Sequence, residues 1–289
     1  MDARAFEFLG FAEASAGIAR TQRENREGWW AHARRSKAFI LDAVARVANP
    51  HLAVVLGSGK AYDLPLAELA QRFERLVLID IDAAALEATC AATIRDRRNV
   101  ELRPMDVTGV MTQLAHGIQL ALEAPETAFE ALCRSYRLAS LPRFVDERAD
   151  LLVSGMMLSQ LGLQPKLAAK RHYEARFRQP FPESWGAPWD GLERKLQQDH
   201  IDSFAAQARL TVLSSDVGHR SGGETWSVIG AQHLEARIPP TLRILARAAW
   251  SWTRVRAGEV MTAVEALLLE PVEKGLVANQ GLEPRTHGL

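Results

Sequence analysis

The stretch from His51 to Asp82, HLAVVLGSGKAYDLPLAELAQRFERLVLIDID, constrains this chain more than any other. Leu52 to Leu56 is a short unbroken apolar run, the pattern of a parallel strand covered on both faces. Gly57-Ser58-Gly59 breaks the run, and Leu66, Leu69, Ala70 and Phe73 then recur at helical spacing. Asp63 is placed to cap that helix, and Pro65 is tolerated in its first turn. A second apolar run, Leu76 to Ile79, ends on Asp80, with Asp82 two residues later. Strand, turn, helix and strand in that order predict an α/β chain with a parallel sheet.

The arrangement suits a nucleoside. Glycines let the backbone approach a ligand closely, and a carboxylate at the end of the second strand can accept hydrogen bonds from ribose hydroxyls, which makes Asp80 the leading ribose ligand. A dinucleotide site also needs a third small residue, so that a diphosphate can rest on the helix end, and Tyr62 stands in that place.

These residues resemble motif I and the acidic strand end of the class I S-adenosylmethionine-dependent methyltransferases. That family usually has an acid before the first glycine and often a third glycine, where this chain has Val55-Leu56 and Lys60-Ala61. The resemblance implies a doubly wound, mostly parallel seven-stranded sheet closed by an antiparallel hairpin, with S-adenosylmethionine as cofactor. It also implies that Gly57, Ser58, Gly59, Tyr62, Asp63, Asp80 and Ile81 hold that cofactor, with Tyr62 and Asp63 at its methionine end.

At 289 residues, 47% hydrophobic and 24% charged, the chain is long enough for one large α/β domain with an appendage. Lys+Arg 35 against Asp+Glu 35 leaves no net charge to draw the whole protein to a phosphate backbone, so no nucleic-acid partner is expected. Cys90 and Cys133 are too far apart for a metal knuckle or a redox pair and read as small apolar residues. No HExxH, CxxC or GxSxG occurs, no metal is expected, and no run is long enough to span a membrane. The charged amino terminus does not read as a signal peptide, so a cytoplasmic enzyme is the expectation.

In chain order, residues 1–48 read as a helical arm and 49–289 as the Rossmann-like domain. Trp29-Trp30 with His32, Arg34 and Arg35 marks the arm, either docking it on the core or closing it over the ligand as a lid. Ala83 to Ile94 reads as a helix, and Asn99 to Met105 as a third strand. By resemblance Asp106 and Val107, just past it, meet the adenine. Residues 110–146 and 160–205 carry helical patterns, among them one through Tyr136, and are expected to form a substrate-side cover.

Asp150 to Val153 is the next strand, and the Ser154-Gly155-Met156 that follows corresponds to the family's motif IV, beside the transferred methyl. SGMM differs from the Asn/Asp-Pro-Pro-Tyr of members that methylate nucleic-acid and protein amides. Lys166, Lys170, Arg171, Arg176 and Arg178 surround His172 and Tyr173, as a solvated face or an anion patch. His200 reads as a helix histidine satisfied by packing.

Leu210 to Leu213 is the fifth strand, ending at Ser214-Ser215-Asp216, and His219 to Gly223 reads as a loop. Asp216 and His219, with Tyr173, are the candidate catalytic groups, able to take a proton from a hydroxyl or amine. Trp250 to Leu269, turning through Ala257-Gly258-Glu259, reads as the closing hairpin, although Leu242 to Arg254 also fits a helix.

The function implied is methyl transfer to an oxygen, nitrogen or carbon of a small molecule. An NAD(P)-binding oxidoreductase and a non-catalytic binding or scaffold protein of the same fold remain as alternatives. No membrane partner is expected, and a homo-oligomer stays open.

Overall fold

The computed structural model describes residues 2–135, 142–255 and 260–272. The expected turn at Ala257-Gly258-Glu259 and the helical position at Tyr136 lie outside the described residues. Three helices come first, α1 (Ala3–Leu9), α2 (Phe11–Glu24) and α3 (Arg26–Val44). The expected unit follows as β1 (Leu52–Leu56), α4 (Leu66–Arg72) and β2 (Arg75–Asp80). Next come α5 (Ala83–Thr93), β3 (Val100–Pro104), α6 (Met111–Ala121), α7 (Pro125–Ser135) and β4 (Ala149–Gly155). The chain continues with α8 (Leu163–Phe177), α9 (Gly186–Gln207), β5 (Ala208–Ser221), β6 (Glu224–Ser227), β7 (Leu242–Val255) and β8 (Val260–Pro271).

The sheet runs β3-β2-β1-β4-β5-β8-β7, parallel from β3 through β5, with β8 antiparallel to both β5 and β7. The doubly wound sheet with its closing hairpin is as expected, with one addition: β6 pairs with β5 off this path and makes the sheet eight-stranded. The segment read as a loop at His219 to Gly223 is therefore a hairpin. Gly222 and Gly223, at φ +57° and +88°, supply the two left-handed residues that a tight turn between Ser221 and its partner Glu224 requires.

Leu242 to Arg254 is strand rather than helix, and its period of two explains why. Ala248, Trp250 and Trp252 share one face, packed with Val264 and Ala266 of β8 and Trp29 of α3. Elsewhere the sheet is apolar on both sides. Val54, Leu56, Val77 and Ile79 meet α6, α8 and α9, while Val55, Leu76 and Leu78 meet α3, α4 and α5.

The chain reverses direction across the sheet between β1 and β4, which are hydrogen-bonded neighbours. Such a reversal opens a crevice at the carboxyl ends of the two strands, because their connections leave in opposite directions. Gly57 and Met156 sit there. No helix among the described residues is long and apolar enough to cross a membrane.

Candidate active site

A cavity of about 260 Å³ opens at that crevice, lined by Gly57, Gly59, Tyr62, Asp63, Asp80, Ile81, Asp106, Val107, Gly155, Met156 and Asp216. Two expected residues lie behind its wall. Ser58 is buried and donates from Oγ to the Ile79 carbonyl at 3.2 Å, and Ser154 is buried with Oγ 3.0 Å from His200 Nε2.

The carboxylates on the β1–β2 side are held by backbone amides. Asp80 Oδ2 accepts from Gly59 N–H at 2.8 Å and Oδ1 from Asp82 N–H at 2.8 Å. Burial raises the Asp80 carboxyl above its ordinary value, and those amides oppose the rise. Gly59 is needed for this contact, since an added Cβ would lie 2.9 Å from Asp80 Oδ2. Gly57, at φ +71°, turns the chain off β1, which a side chain would resist. Asp106 Oδ1 accepts from the amide and hydroxyl of Thr108 at 2.9 and 2.7 Å, and Oδ2 from Met111 N–H at 2.8 Å, so Asp106 also starts α6.

Asp63 does not cap α4, whose first turn begins at Pro65 without a side-chain cap. It faces His32 instead, with Nε2 3.4 Å from Asp63 Oδ2. The Trp250 indole N–H donates to His32 Nδ1 at 3.0 Å, which places the neutral imidazole's proton on Nε2, toward Asp63. Trp29 stands edge-on to Trp252 at 4.9 Å and to Tyr62 at 5.8 Å, and His32 stacks on Trp252 at 4.7 Å. The arm therefore docks on β7 and lines the cavity at once, with Phe11, Ala14, Ser15 and Ile18 of α2 facing the same space. Trp30 is exposed, with the Arg34 guanidinium 4.9 Å above its ring.

Asp216 differs from the other carboxylates. It is buried within β5, beside the register shift between Asp216 and Gly218. Its Oδ1 has no hydrogen-bond partner among the described residues, and Arg254 Nη1 stands 3.9 Å from Oδ2. Burial pushes the carboxyl up to about 6, against the pull of Arg254, with Asp63 adding to the rise. The indole N–H groups of Trp29 and Trp252 are likewise buried without partners.

His219 does not line this cavity. It lies in a second one of about 470 Å³, with Nδ1 3.0 Å from Thr262 Oγ1 and its ring edge-on to Trp226. Burial lowers it below the ordinary histidine value. Gln160 and Arg254 line both cavities. Glu193, in the second, is pushed by burial up to about 7.

Tyr173 is in neither lining. It is buried among Phe177, Phe181 and Trp185 at 4.7, 5.8 and 5.2 Å, packing that spends the whole ring on the core. Its basic neighbours are also engaged. Arg171 Nη2 donates to the Phe8 carbonyl at 2.8 Å, His172 stacks on Phe8 at 4.1 Å, and Lys166 meets Asp190 at 2.7 Å, so this cluster fastens α1 and α9 to α8. His200 is held by burial near 3 and stays neutral.

No protein family and no curated protein matches the sequence. Solved structures with a similar path include the N-methyltransferase NodS of Bradyrhizobium japonicum WM9, at 14% identity over 82% of this chain and 98% of that one, TM-score 0.43. Magnesium protoporphyrin IX methyltransferase of Synechocystis PCC 6803, with bound S-adenosylmethionine, is similar at 12% identity over 86% and 83%, TM-score 0.43. A putative RNA methyltransferase of Pyrococcus horikoshii is similar at 7% identity over 83% and 85%, TM-score 0.42. The likeness is one of fold, and this chain's own strand order, with its antiparallel closing hairpin, carries the fold assignment.

Proposed function

We propose that this protein is an S-adenosylmethionine-dependent methyltransferase acting on a small molecule. The observation that carries the reading is the Gly59–Asp80 pair. A carboxylate at the end of β2 is fixed by a glycine amide at the end of β1, facing a cavity at the point where the sheet reverses. Asp80 keeps lone pairs on both oxygens for ribose hydroxyls, since each oxygen accepts one backbone amide.

The residues present fit the cofactor. Asp80 would hold its ribose, Asp106 and Val107 its adenine, Tyr62 and Asp63 its methionine end, and Gly155 and Met156 would flank the reacting side. Bound there, S-adenosylmethionine supplies an electrophilic methyl on a sulfonium. The chain's own work is to orient, to exclude water and to take a proton. Asp216 is the group suited to the last task, because it is buried in the same cavity with one oxygen unpartnered.

A small acceptor follows from the charge of the walls. Asp63, Asp80, Asp82, Asp106 and Asp216 outnumber Lys60 and Arg254 in the lining, which opposes entry of a phosphate backbone. Calorimetric titration with S-adenosylmethionine, S-adenosylhomocysteine and NAD is the test. Micromolar binding of the first two without NAD is expected, and binding of NAD alone would overturn the proposal.

A further inference from the structure

We propose that the methyl acceptor is an amine, received as its ammonium form at Asp216 beside the rings of Trp29 and Trp252. The inference deepens the methyltransferase reading and rests on it.

Asp216 is 4% exposed, and its Oδ1 has no partner among the described residues. An unpartnered buried carboxylate oxygen is costly to keep, so its natural complement is a ligand N–H or O–H. The groups around it favour a cation among such ligands. Trp29 stands edge-on to both Trp252 and Tyr62, all three rings line the cavity, and electron-rich rings attract ammonium groups. Asp63 adds a second carboxylate in the same lining, so an anionic acceptor would meet two negative charges. The guanidinium of Arg254 stands 3.9 Å from Oδ2, too far for a hydrogen bond, and the carboxylate lines the cavity.

Asp216 lies on β5, with β4 between it and the Gly57–Gly59 turn that follows β1. It is thereby one strand away from that turn and next to Gly155 and Met156 on the reacting side, since Met156 N–H donates to the Ser214 carbonyl at 2.9 Å. A second cavity, lined among others by Trp226, Val228, Lys166 and Glu193, lies on the far side of Gln160 and Arg254, which line both.

The chemistry balances. The ammonium first gives one proton to the Asp216 carboxylate, a group that burial has made proton-avid. The freed nitrogen pair then forms the N–C bond as the donor's S–C bond breaks, with that bond's electrons going to sulfur. Positive charge passes from sulfur to nitrogen, beside the same carboxylates and rings. Asp216 returns its proton to solvent when product leaves.

The test is a calorimetric titration of the protein saturated with S-adenosylhomocysteine, using benzylamine, benzyl alcohol and benzoate as probes, on the natural chain, Asp216→Asn and Trp252→Leu. Benzylamine is expected to bind at least tenfold more tightly than the alcohol or the acid. Its affinity is expected to fall at least tenfold in Asp216→Asn and severalfold in Trp252→Leu, with S-adenosylhomocysteine affinity kept within threefold as evidence that both variants fold. Equal binding of the three probes, binding of none, or benzylamine affinity unchanged in Asp216→Asn would each overturn the proposal. Loss of S-adenosylhomocysteine affinity in a folded Asp216→Asn would assign that carboxylate to the donor and overturn it too. If the natural chain does not bind S-adenosylhomocysteine at all, the methyltransferase reading itself has failed.

Discussion

The two walls of the main cavity are built on opposite principles. On the β1–β2 side the carboxylates of Asp80 and Asp106 are anchored on both oxygens by backbone amides and a hydroxyl, so the wall is held in place before any ligand arrives. On the β5–β7 side Asp216 Oδ1 and the indole N–H groups of Trp29 and Trp252 are buried and unpartnered. A satisfied wall can hold a ligand of fixed shape, such as a nucleoside, with little reorganisation. An unsatisfied wall stores desolvation cost that only a complementary ligand relieves. In the proposed function, donor recognition belongs to the first wall and acceptor chemistry to the second.

Substitutions break the comparison most sharply at Asp80. Asp80→Ala removes the proposed ribose acceptor and leaves the Gly59 and Asp82 amides without their acceptor, so S-adenosylhomocysteine affinity should fall by about 100-fold, roughly 2.7 kcal/mol. Calorimetry reads this directly, and unchanged affinity would remove Asp80 from the site.

The opposite wall should respond in the opposite sense. Asp216 has an ordinary value of 3.8 but titrates near 6 when folded, so the folded state binds its proton more tightly than the unfolded chain does. Stability therefore declines as pH rises from about 4 to about 6. Asp216→Asn should lift that penalty, raising stability by about 3 kcal/mol at pH 7 and by little at pH 4. Urea unfolding at the two pH values checks it. In the natural chain, methyl transfer should rise with pH through about 6 as Asp216, facing Arg254, His32 and Asp63, becomes able to take a proton, and Asp216→Asn should lose that limb.

A smaller effect tests the rigidity of the first wall. Gly59→Ala brings a Cβ to 2.9 Å from Asp80 Oδ2 and 3.0 Å from its Cγ, which pushes the carboxylate off the Gly59 amide. About a tenfold loss of S-adenosylhomocysteine affinity is expected, roughly 1.4 kcal/mol, with the fold retained. Smallest of all is Tyr173→Phe, which keeps the ring among Phe177, Phe181 and Trp185. Stability should change by less than about 0.5 kcal/mol, and methyl transfer by less than twofold. A large loss of rate would return Tyr173 to the site.

The same contrast explains how much could be read beforehand. The first wall lies within one continuous stretch, where apolar runs, glycines and a strand-end acid are sequence-local signals, and β1, β2 and Asp80 fall where periodicity put them. The second wall is assembled from α3, β5 and β7. His32 and Trp250 are hydrogen-bonded although 218 positions apart, and nothing in local spacing announces such a pair. Asp216 was recognisable as a residue beyond an apolar run, but β5 continues through it to Ser221, because β8 and β6 supply pairing that the run Leu210 to Leu213 does not reveal. Asp63 fits a cap by position, and the partner that draws it elsewhere sits in the arm. The Tyr173 cluster reads as charged by composition, while its ring is committed to apolar packing that a linear pattern does not separate from its neighbours.

The most direct test is a crystal structure of the protein with S-adenosylhomocysteine. The account predicts that ribose hydroxyls lie within hydrogen-bond distance of the Asp80 carboxylate and that the sulfur faces the side of the cavity bearing Asp216 and Trp252. A nucleoside bound elsewhere, or bound with Asp80 untouched, would contradict it.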